Sequence, residues 1–182
     1  MKSFPQLFGF SISHTTRKPR PNEVDGEHYH FTSRDVIQQE IDDGKFVEFA
    51  EVHGNIYGTS FESVQNVRSQ GKVCLLDIDV QGVRNVKNST LKPKYMFVAP
   101  PNNQVLEERL RDRATEKEED IIKRLNNATK EIEYGMEDGN FDYILKNIVL
   151  EESFNEMKGI FTGWYPHLLV SKEPETKEES KD

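Results

Sequence analysis

The first part of the chain alternates short apolar stretches with polar turns, a pattern typical of short strands. Phe8 to Ile12 and Tyr29 to Phe31 are two such stretches, and the polar segment Pro21 to Gly26 lies between them. Phe46 to Val52 alternates apolar and polar side chains with period two, as a half-buried strand does. The pattern therefore predicts three strands in this part of the chain.

Two helices are predicted between and after these strands. Ser33 can cap a helix over Arg34 to Asp42, and Gly44 then ends it. The segment Thr59 to Glu62 fits a capping box, in which the hydroxyl and the carboxylate satisfy each other's backbone N–H groups. The helix that follows should continue to Gly71.

From residue 73 onward the apolar runs become continuous, which favours strands buried on both faces. Val73 to Leu76 and Tyr95 to Val98 are such runs, and helical patterns alternate with them. This order indicates a parallel sheet covered by helices. The remaining predicted elements are helices over Asn103–Arg111, Glu118–Tyr134 and Glu151–Phe161 and a strand over Phe141–Leu145.

Composition narrows the class of protein. The 182 residues suit one domain with insertions, and 24 basic against 32 acidic side chains give a net charge of −8. That charge argues against general binding to nucleic acid, and a mean hydropathy of −0.75 argues against a membrane span. With no secretory leader pattern and a single cysteine, Cys74, predicted to be buried, we expect a cytoplasmic protein. Residues 171–182 hold five acids, three lysines and no apolar side chain, so they should form a disordered tail.

The segment Ser11 to Arg20 concentrates positive charge and hydroxyl groups. Within these ten residues lie four basic side chains and four hydroxyl side chains. The basic ones are His14, Arg17, Lys18 and Arg20. Arginine holds a phosphate through parallel charge-assisted hydrogen bonds, and hydroxyls supply further donors. From the residues alone, a solvated basic turn explains the segment as well as an anion site does.

The same segment belongs to a set of motifs that resembles the guanylate kinases. Phe8 to Arg20 and Gly26 to Phe31 resemble the GMP-binding segments of that family. The resemblance continues in order to about Phe161, through Phe46–Glu48, Gly54–Thr59, Leu76–Gly82, Arg109–Glu116 and Lys123–Leu125. It implies a P-loop nucleotide-kinase α/β fold within residues 1–170, with a parallel sheet, a small β-rich GMP-binding part at about 13–72 and a helical lid at about 109–125.

The resemblance also implies a site for GMP. Four residues would bind its phosphate: Arg17, Arg20, Tyr29 and Tyr57. Four others would contribute to the rest of the GMP site, with Glu48, Ser13 and Thr59 reading the guanine edge and Asp79 nearby. Without the resemblance, each tyrosine would more often be an amphipathic residue of the core. A carboxylate on a strand, such as Glu48, would more often face the solvent.

Catalytic roles follow from the same resemblance. Arg109, Arg113 and Arg124 match lid arginines that close over the transferring phosphates, and Asp77 would act near Mg²⁺ that arrives with ATP. Without the resemblance, the arginines could instead form exposed i,i+4 ion pairs, and Asp77 could be an ordinary turn residue with no catalytic role. Asn147 lies near where the family contacts adenine. No residue is predicted to form a protein metal site.

One motif of the family is absent from these residues. No segment fits G-x-x-x-x-G-K-[ST], the loop whose backbone N–H groups and lysine hold the ATP phosphates. We therefore expect the chain to begin after that loop and its strand, to need a partner or missing segment to complete the sheet, and to transfer phosphate poorly. Two other interpretations stay open: a non-catalytic module that binds GMP or a phosphorylated peptide, and an incomplete product of an ordinary kinase.

Overall fold

The chain folds into six helices and eight strands within the part that the computed structural model describes, residues 4–52, 54–112 and 118–166. The strands are β1 (Phe8–Phe10), β2 (His14–Thr15), β3 (His30–Phe31), β4 (Phe46–Val52), β5 (Asn55–Ser60), β6 (Val73–Leu75), β7 (Met96–Ala99) and β8 (Tyr143–Lys146). The helices are α1 (Arg34–Asp42), α2 (Phe61–Arg68), α3 (Val80–Lys87), α4 (Asn103–Asp112), α5 (Glu118–Met136) and α6 (Leu150–Trp164).

The chain divides into two compact units, Met1–Lys94 and Tyr95–Asp182. The first unit contains an antiparallel-rich sheet of four strands in the order β3-β2-β5-β4 and a parallel pair, β1-β6. The second unit contains a second parallel pair, β7-β8. Parallel pairing is thus confirmed, although in the described residues the β1-β6 and β7-β8 pairs are two separate two-stranded sheets and a third parallel pair, β2-β3, belongs to the four-stranded sheet.

Helix α1 and strand β4 have the predicted bounds, and local chemistry explains both. The Ser33 hydroxyl accepts a hydrogen bond from the backbone N–H of Val36, and Gly44 follows the helix at a positive φ of 71°. In β4 the alternation is interrupted near its start, because a register shift between Phe46 and Glu48 buries two consecutive residues, Val47 and Glu48.

The prediction of a cap at Thr59 was wrong by one residue. Thr59 is fully buried in β5, and Ser60 caps α2 by accepting a hydrogen bond from the N–H of Ser63 at 3.1 Å. The Ser60 hydroxyl also donates to the Ser63 hydroxyl at 3.0 Å. Thr59 is held in the strand because its backbone pairs with Glu48 on the neighbouring strand.

Strand β6 is less buried than its apolar run predicts. All three of its residues, including Cys74, are half-buried, and the strand begins its pairing with β1 at Val73 opposite Phe8. Among the described residues β1 is the only strand that pairs with β6. In the same described part, no helix has the length and apolar character needed to cross a bilayer. The predicted tail, 171–182, lies outside the described residues.

Candidate functional site

Strand β5 brings the candidate groups of the first unit together. It pairs with β2 on one side and β4 on the other, so it occupies the middle of the four-stranded sheet. Tyr57 and Thr59 lie two residues apart on this strand, and side chains with that spacing share one face. Glu48 is the direct neighbour of Thr59 on β4. Two predicted GMP residues and the predicted guanine-reading carboxylate therefore lie on adjacent strands.

Glu48 is a buried carboxylate, only 4 % exposed. Burial raises its pKa to about 7, and the nearby Asp79 carboxylate adds to that rise. Hydrogen bonds with the hydroxyl and backbone of Thr59 act in the opposite direction and favour the ionised form. The side chain can thus hold or lose a proton near neutral pH, unlike a solvent-facing glutamate.

The first turn of α3 leaves room for the Glu48 carboxylate because residue 82 has no side chain. A Cβ atom added at Gly82 would lie 2.7 Å from Oε2 of Glu48 and 3.1 Å from Cβ of Ile78. Asp79 caps the same helix, with Oδ1 accepting from the N–H of Gly82 at 2.8 Å. The predicted GMP residue Asp79 therefore also has a structural task as the helix cap.

Ser13 reaches the same place from the loop before β2. Its Oγ lies 3.4 Å from Oγ1 of Thr59, and the two hydroxyls form a hydrogen bond. Glu48, Thr59 and Ser13 thus make a continuous polar chain across three segments. This chain presents a carboxylate and two hydroxyls at one point of the sheet.

Arg17 is the centre of a second polar cluster in the first unit. Its guanidinium makes two parallel bonds to the carboxylate of Glu23, Nη1 to Oε2 and Nη2 to Oε1, each 2.9 Å long. The bond to Glu23 raises the pKa of Arg17, and a bond with the Tyr57 hydroxyl contributes further. The carbon Cζ lies 5.4 Å from the ring centroid of Tyr29 and 5.8 Å from that of Phe31.

The tyrosines predicted to bind phosphate lie beside this arginine. The ring centroids of Tyr29 and Tyr57 are 6.1 Å apart in an edge-to-face arrangement. Burial raises the pKa of Tyr29 most, and the neighbouring Tyr57 raises it next. Arg17 acts in the opposite direction and lowers this pKa, while Asp77 also raises it. Three of the four predicted phosphate ligands are therefore neighbours.

The two remaining candidates of the first unit are more exposed. Arg20 is exposed, and its backbone N–H donates to Oε2 of Glu23 at 2.6 Å. Asp77 lies in the segment between β6 and α3, with an exposed side chain close enough to influence Tyr29 electrostatically. Both residues belong to the surroundings of the Arg17 cluster.

The lid candidates belong to the second unit. Arg109 on α4 donates from Nη1 to the carbonyl oxygen of Asn147 at 2.9 Å and from Nη2 to that of Ile148 at 3.0 Å. These bonds tie α4 to the end of β8. They lie at a cavity of about 280 Å³ with an apolar wall and two polar members: Val98, Ala99, Pro100, Leu106, Arg109, Leu110 and Asn147.

The ion-pair alternative applies to Arg111, which was not a candidate. Arg111 bonds Glu107 one turn earlier at 2.7 Å and Glu118 at 2.5 Å, and all three side chains are exposed. Arg124 is half-buried on α5. Arg113 lies outside the described residues. The exposed pairs of Arg111 are of the kind that contributes little to stability.

Comparison with known proteins identifies the family. The family model described as Guanylate kinase matches residues 1–163, most of the chain. The chain belongs to the guanylate kinase family. It is similar to a protein named Guanylate kinase 1 of Arabidopsis thaliana, 56 % identical over 160 residues, and to one of the same name in rice, 53 % identical over 162 residues. It is also 49 % identical over 152 residues to the human protein named Guanylate kinase.

The matches cover most of this chain and a variable share of each relative. The match to the Arabidopsis protein covers 88 % of this chain and 41 % of that protein, and the match to the rice protein covers 89 % of this chain and 42 % of that protein. The match to the human protein covers 84 % of this chain and 77 % of that protein. The chain thus spans less than half the length of the two plant relatives. Its fold matches the crystal structure of guanylate kinase from Anaplasma phagocytophilum, with a TM-score of 0.71 and 26 % identity over 90 % of this chain and 78 % of that one.

Two residues that shape this site were not identified from the sequence. Glu23 holds Arg17 and the backbone of Arg20, yet it was treated as part of a polar turn. The dipeptide Pro21-Asn22 before it is a turn signal that could have placed its side chain back toward Arg20. Gly82 leaves room for Glu48, and nothing in the sequence alone indicates which side chain it faces.

Proposed function

We propose that this chain acts in the reaction ATP + GMP → ADP + GDP, with the GMP site in its first unit. The observation that carries the proposal is the chain of Glu48, Thr59 and Ser13 beside the Arg17 cluster on one sheet. A purine nucleotide has a polar base edge and a phosphate, and the two clusters match those two ends. In the reaction the γ-phosphoryl group of ATP breaks its bond to the bridging oxygen, so that ADP leaves, and forms a new bond to a phosphate oxygen of GMP.

The guanine end is selected by hydrogen-bond complementarity. Guanine presents adjacent N–H donors that adenine lacks, and the ionised Glu48 carboxylate accepts from them. The hydroxyls of Ser13 and Thr59 complete the edge. Adenine would leave the buried Glu48 carboxylate without hydrogen-bond donors. Because an unpaired buried polar group is unfavourable in free energy, adenine would bind more weakly than guanine.

The phosphate end is held by Arg17, Arg20, Tyr29 and Tyr57. A guanidinium and hydroxyl donors beside it bind a phosphate through charge-assisted hydrogen bonds. Arg17 is partly enclosed by the Tyr29 and Phe31 rings, so its bonds to an anion are less exposed to water than those of a surface arginine. This enclosure favours an anion site over the solvated turn.

Transfer requires charge stabilisation more than a protein base. We assign that role to Arg109, Arg113 and Arg124. Mg²⁺ enters as part of the ATP substrate, and ions of this kind take only one or two carboxylates from the protein. Asp77 is exposed and acts electrostatically on Tyr29, so we assign it as such a ligand near the GMP phosphate.

We further propose that these 182 residues, assayed by themselves, bind GMP but transfer phosphate poorly. They contain no segment with the P-loop pattern, and positioning of the β- and γ-phosphates is a large part of this catalysis. The cavity at Arg109 and Asn147 is a candidate for the adenine of ATP. Its volume of about 280 Å³ is close to the lower limit for small-molecule sites, which is roughly 300 Å³.

Calorimetry with GMP and AMP, together with an assay of ADP release, tests the proposal. We expect GMP to bind more tightly than AMP and Glu48→Gln to remove most of that preference. Equal affinity for the two nucleotides would refute the base-recognition assignment. Tight GMP binding with little ADP release is the result expected of residues that lack the P-loop pattern. A phosphorylated peptide that displaces GMP would instead support the alternative of a binding module.

A further inference from the structure

The segment between Arg17 and Tyr29 contains a turn that directs one carboxylate at both phosphate-site arginines. The N–H of Glu23 donates to the carbonyl of Arg20 at 3.1 Å, which closes a four-residue turn. Pro21 and Asn22 are its central residues, and Asn22 has a positive φ of 70°. Proline followed by a residue with positive φ is the arrangement of a type II turn.

This turn places Glu23 in three hydrogen bonds at once. Two come from the Arg17 guanidinium and one from the backbone N–H of Arg20, between 2.6 and 2.9 Å long. Nη1 of Arg17 also donates to the carbonyl of Lys18 at 2.7 Å. Because a guanidinium carries five N–H donors, these contacts fix its plane and still leave donors for an anion.

We propose that Glu23 is a positioning residue of the phosphate site, which holds Arg17 and the Arg20 backbone in the geometry that binds the phosphate of GMP. The inference rests on the proposed function, because it assumes that these arginines bind that phosphate. An arginine that is already ordered loses less conformational entropy when its ligand arrives. Glu23 would therefore increase affinity without touching GMP.

Comparison with another ion pair of the same unit supports this assignment. Arg34 and Glu51 share one contact of 2.8 Å, and their side chains are 54 % and 55 % exposed. The side chains of Arg17 and Glu23 are each 16 % exposed and bind through both oxygens. The bonds from Arg17 and from the Arg20 backbone also lower the pKa of Glu23 to about 2, so the carboxylate stays charged at neutral pH.

Two pairs of variants test the proposal by calorimetry with GMP and with guanosine, which lacks the phosphate. Glu23→Gln should weaken GMP about tenfold and leave guanosine within about twofold, because only the phosphate end loses its ordered arginine. Glu51→Gln, which breaks the exposed pair, should change neither. Asn22→Val should strain the turn and weaken GMP selectively, whereas Asn22→Gly should retain GMP affinity.

A second measurement reads the arginine itself. The rate at which phenylglyoxal modifies Arg17, followed by peptide mass spectrometry, should rise several-fold in Glu23→Gln and stay unchanged in Glu51→Gln. This measurement needs no nucleotide. If the wild-type chain binds no GMP, the proposed function fails, while the Arg17 rates still decide whether Glu23 positions that residue.

Three results would overturn the inference. One is unchanged or tighter GMP binding in Glu23→Gln, which would make the carboxylate a bystander or a competitor of the phosphate. Another is an equal loss of GMP and guanosine affinity with a lowered melting temperature, which would show a merely structural role. The third is an Arg17 modification rate that does not respond to Glu23→Gln.

Discussion

At the scale of single residues, the environment of Glu48 has a consequence for stability. Its pKa of about 7 in the folded chain lies above the ordinary value of 4.5, so the folded state keeps a proton that the unfolded state has released. Between those two pH values the folded state binds more protons, and stability falls as the pH rises. Above pH 7 this penalty is fully present.

The first prediction follows from that difference. Glu48→Gln cannot ionise, so its free energy of unfolding should rise relative to the wild type between pH 4.5 and 7, by up to roughly 3 kcal/mol. Urea unfolding of both proteins at pH 5 and pH 8 measures the change. Glu51→Gln serves as the control because Glu51 is exposed. A Glu48→Gln difference that is the same at both pH values would refute the raised pKa.

The second prediction concerns the two arginines. Arg17→Ala and Arg20→Ala should each weaken GMP, and the double variant should lose less than the sum of the two, since one phosphate is held by both. Calorimetry of the four proteins gives the coupling free energy. Small and additive losses would instead favour the solvated-turn interpretation of this segment.

At the scale of secondary-structure elements, the hairpin of β4 and β5 depends on a close contact at Gly58. A Cβ atom there would lie 2.6 Å from Cδ1 of Phe46 and 3.0 Å from the backbone oxygen of Glu48. The backbone oxygen cannot move without disturbing the strand that carries the Glu48 side chain. Gly58 is therefore part of what holds the strand that carries Glu48 in place.

The third prediction compares two glycine-to-alanine substitutions. Gly58→Ala should lower the free energy of unfolding by about 1–3 kcal/mol, because the methyl group overpacks the hairpin. Gly159→Ala should raise it by about 0.5–1 kcal/mol, because Gly159 lies in helix α6 and a Cβ added there would have open space around it. Chemical denaturation measures both. Shifts of the same sign would contradict the packing described here.

At the scale of the whole molecule, the proposed roles are divided between the two units. Every residue assigned to GMP lies between Ser13 and Asp79, inside Met1–Lys94. The arginines assigned to phosphoryl transfer belong to Tyr95–Asp182. In the proposed function, binding of the acceptor nucleotide and stabilisation of the transferred group are thus assigned to different parts of the chain.

The fourth prediction follows from this division. A fragment of residues 1–94 should bind GMP with an affinity within about threefold of the full chain, because all the assigned contacts are retained and distant sites act independently. It should show no ATP-dependent ADP release. Calorimetry and the coupled assay test both expectations, and circular dichroism establishes that the fragment is folded. A folded fragment that fails to bind GMP would show that the second unit contributes to the site.

The sequence by itself determined the family and the elements whose signals are local. Helix α1 and strand β4 have the predicted bounds because a cap and a side-chain period act within a few residues. Strand β5 and helix α3 were not predicted. Asn55–Ser60 is polar with a central glycine, and it becomes a strand because β2 and β4 pair with it on both sides. Helix α3 has only eight residues, and an aspartate such as Asp79 before an apolar residue can equally be a ligand or a helix cap.

What only the tertiary structure decided is which side chains meet. The sequence supplied Arg17, Tyr29, Tyr57 and Glu48 as candidates through the family resemblance. It did not show that Glu23 holds Arg17, or that Gly82 leaves room for the Glu48 carboxylate. Burial and electrostatic environment arise from residues far apart in the chain. A pattern read along the sequence therefore identifies the charged groups, while their pKa values and partners depend on how the strands pair.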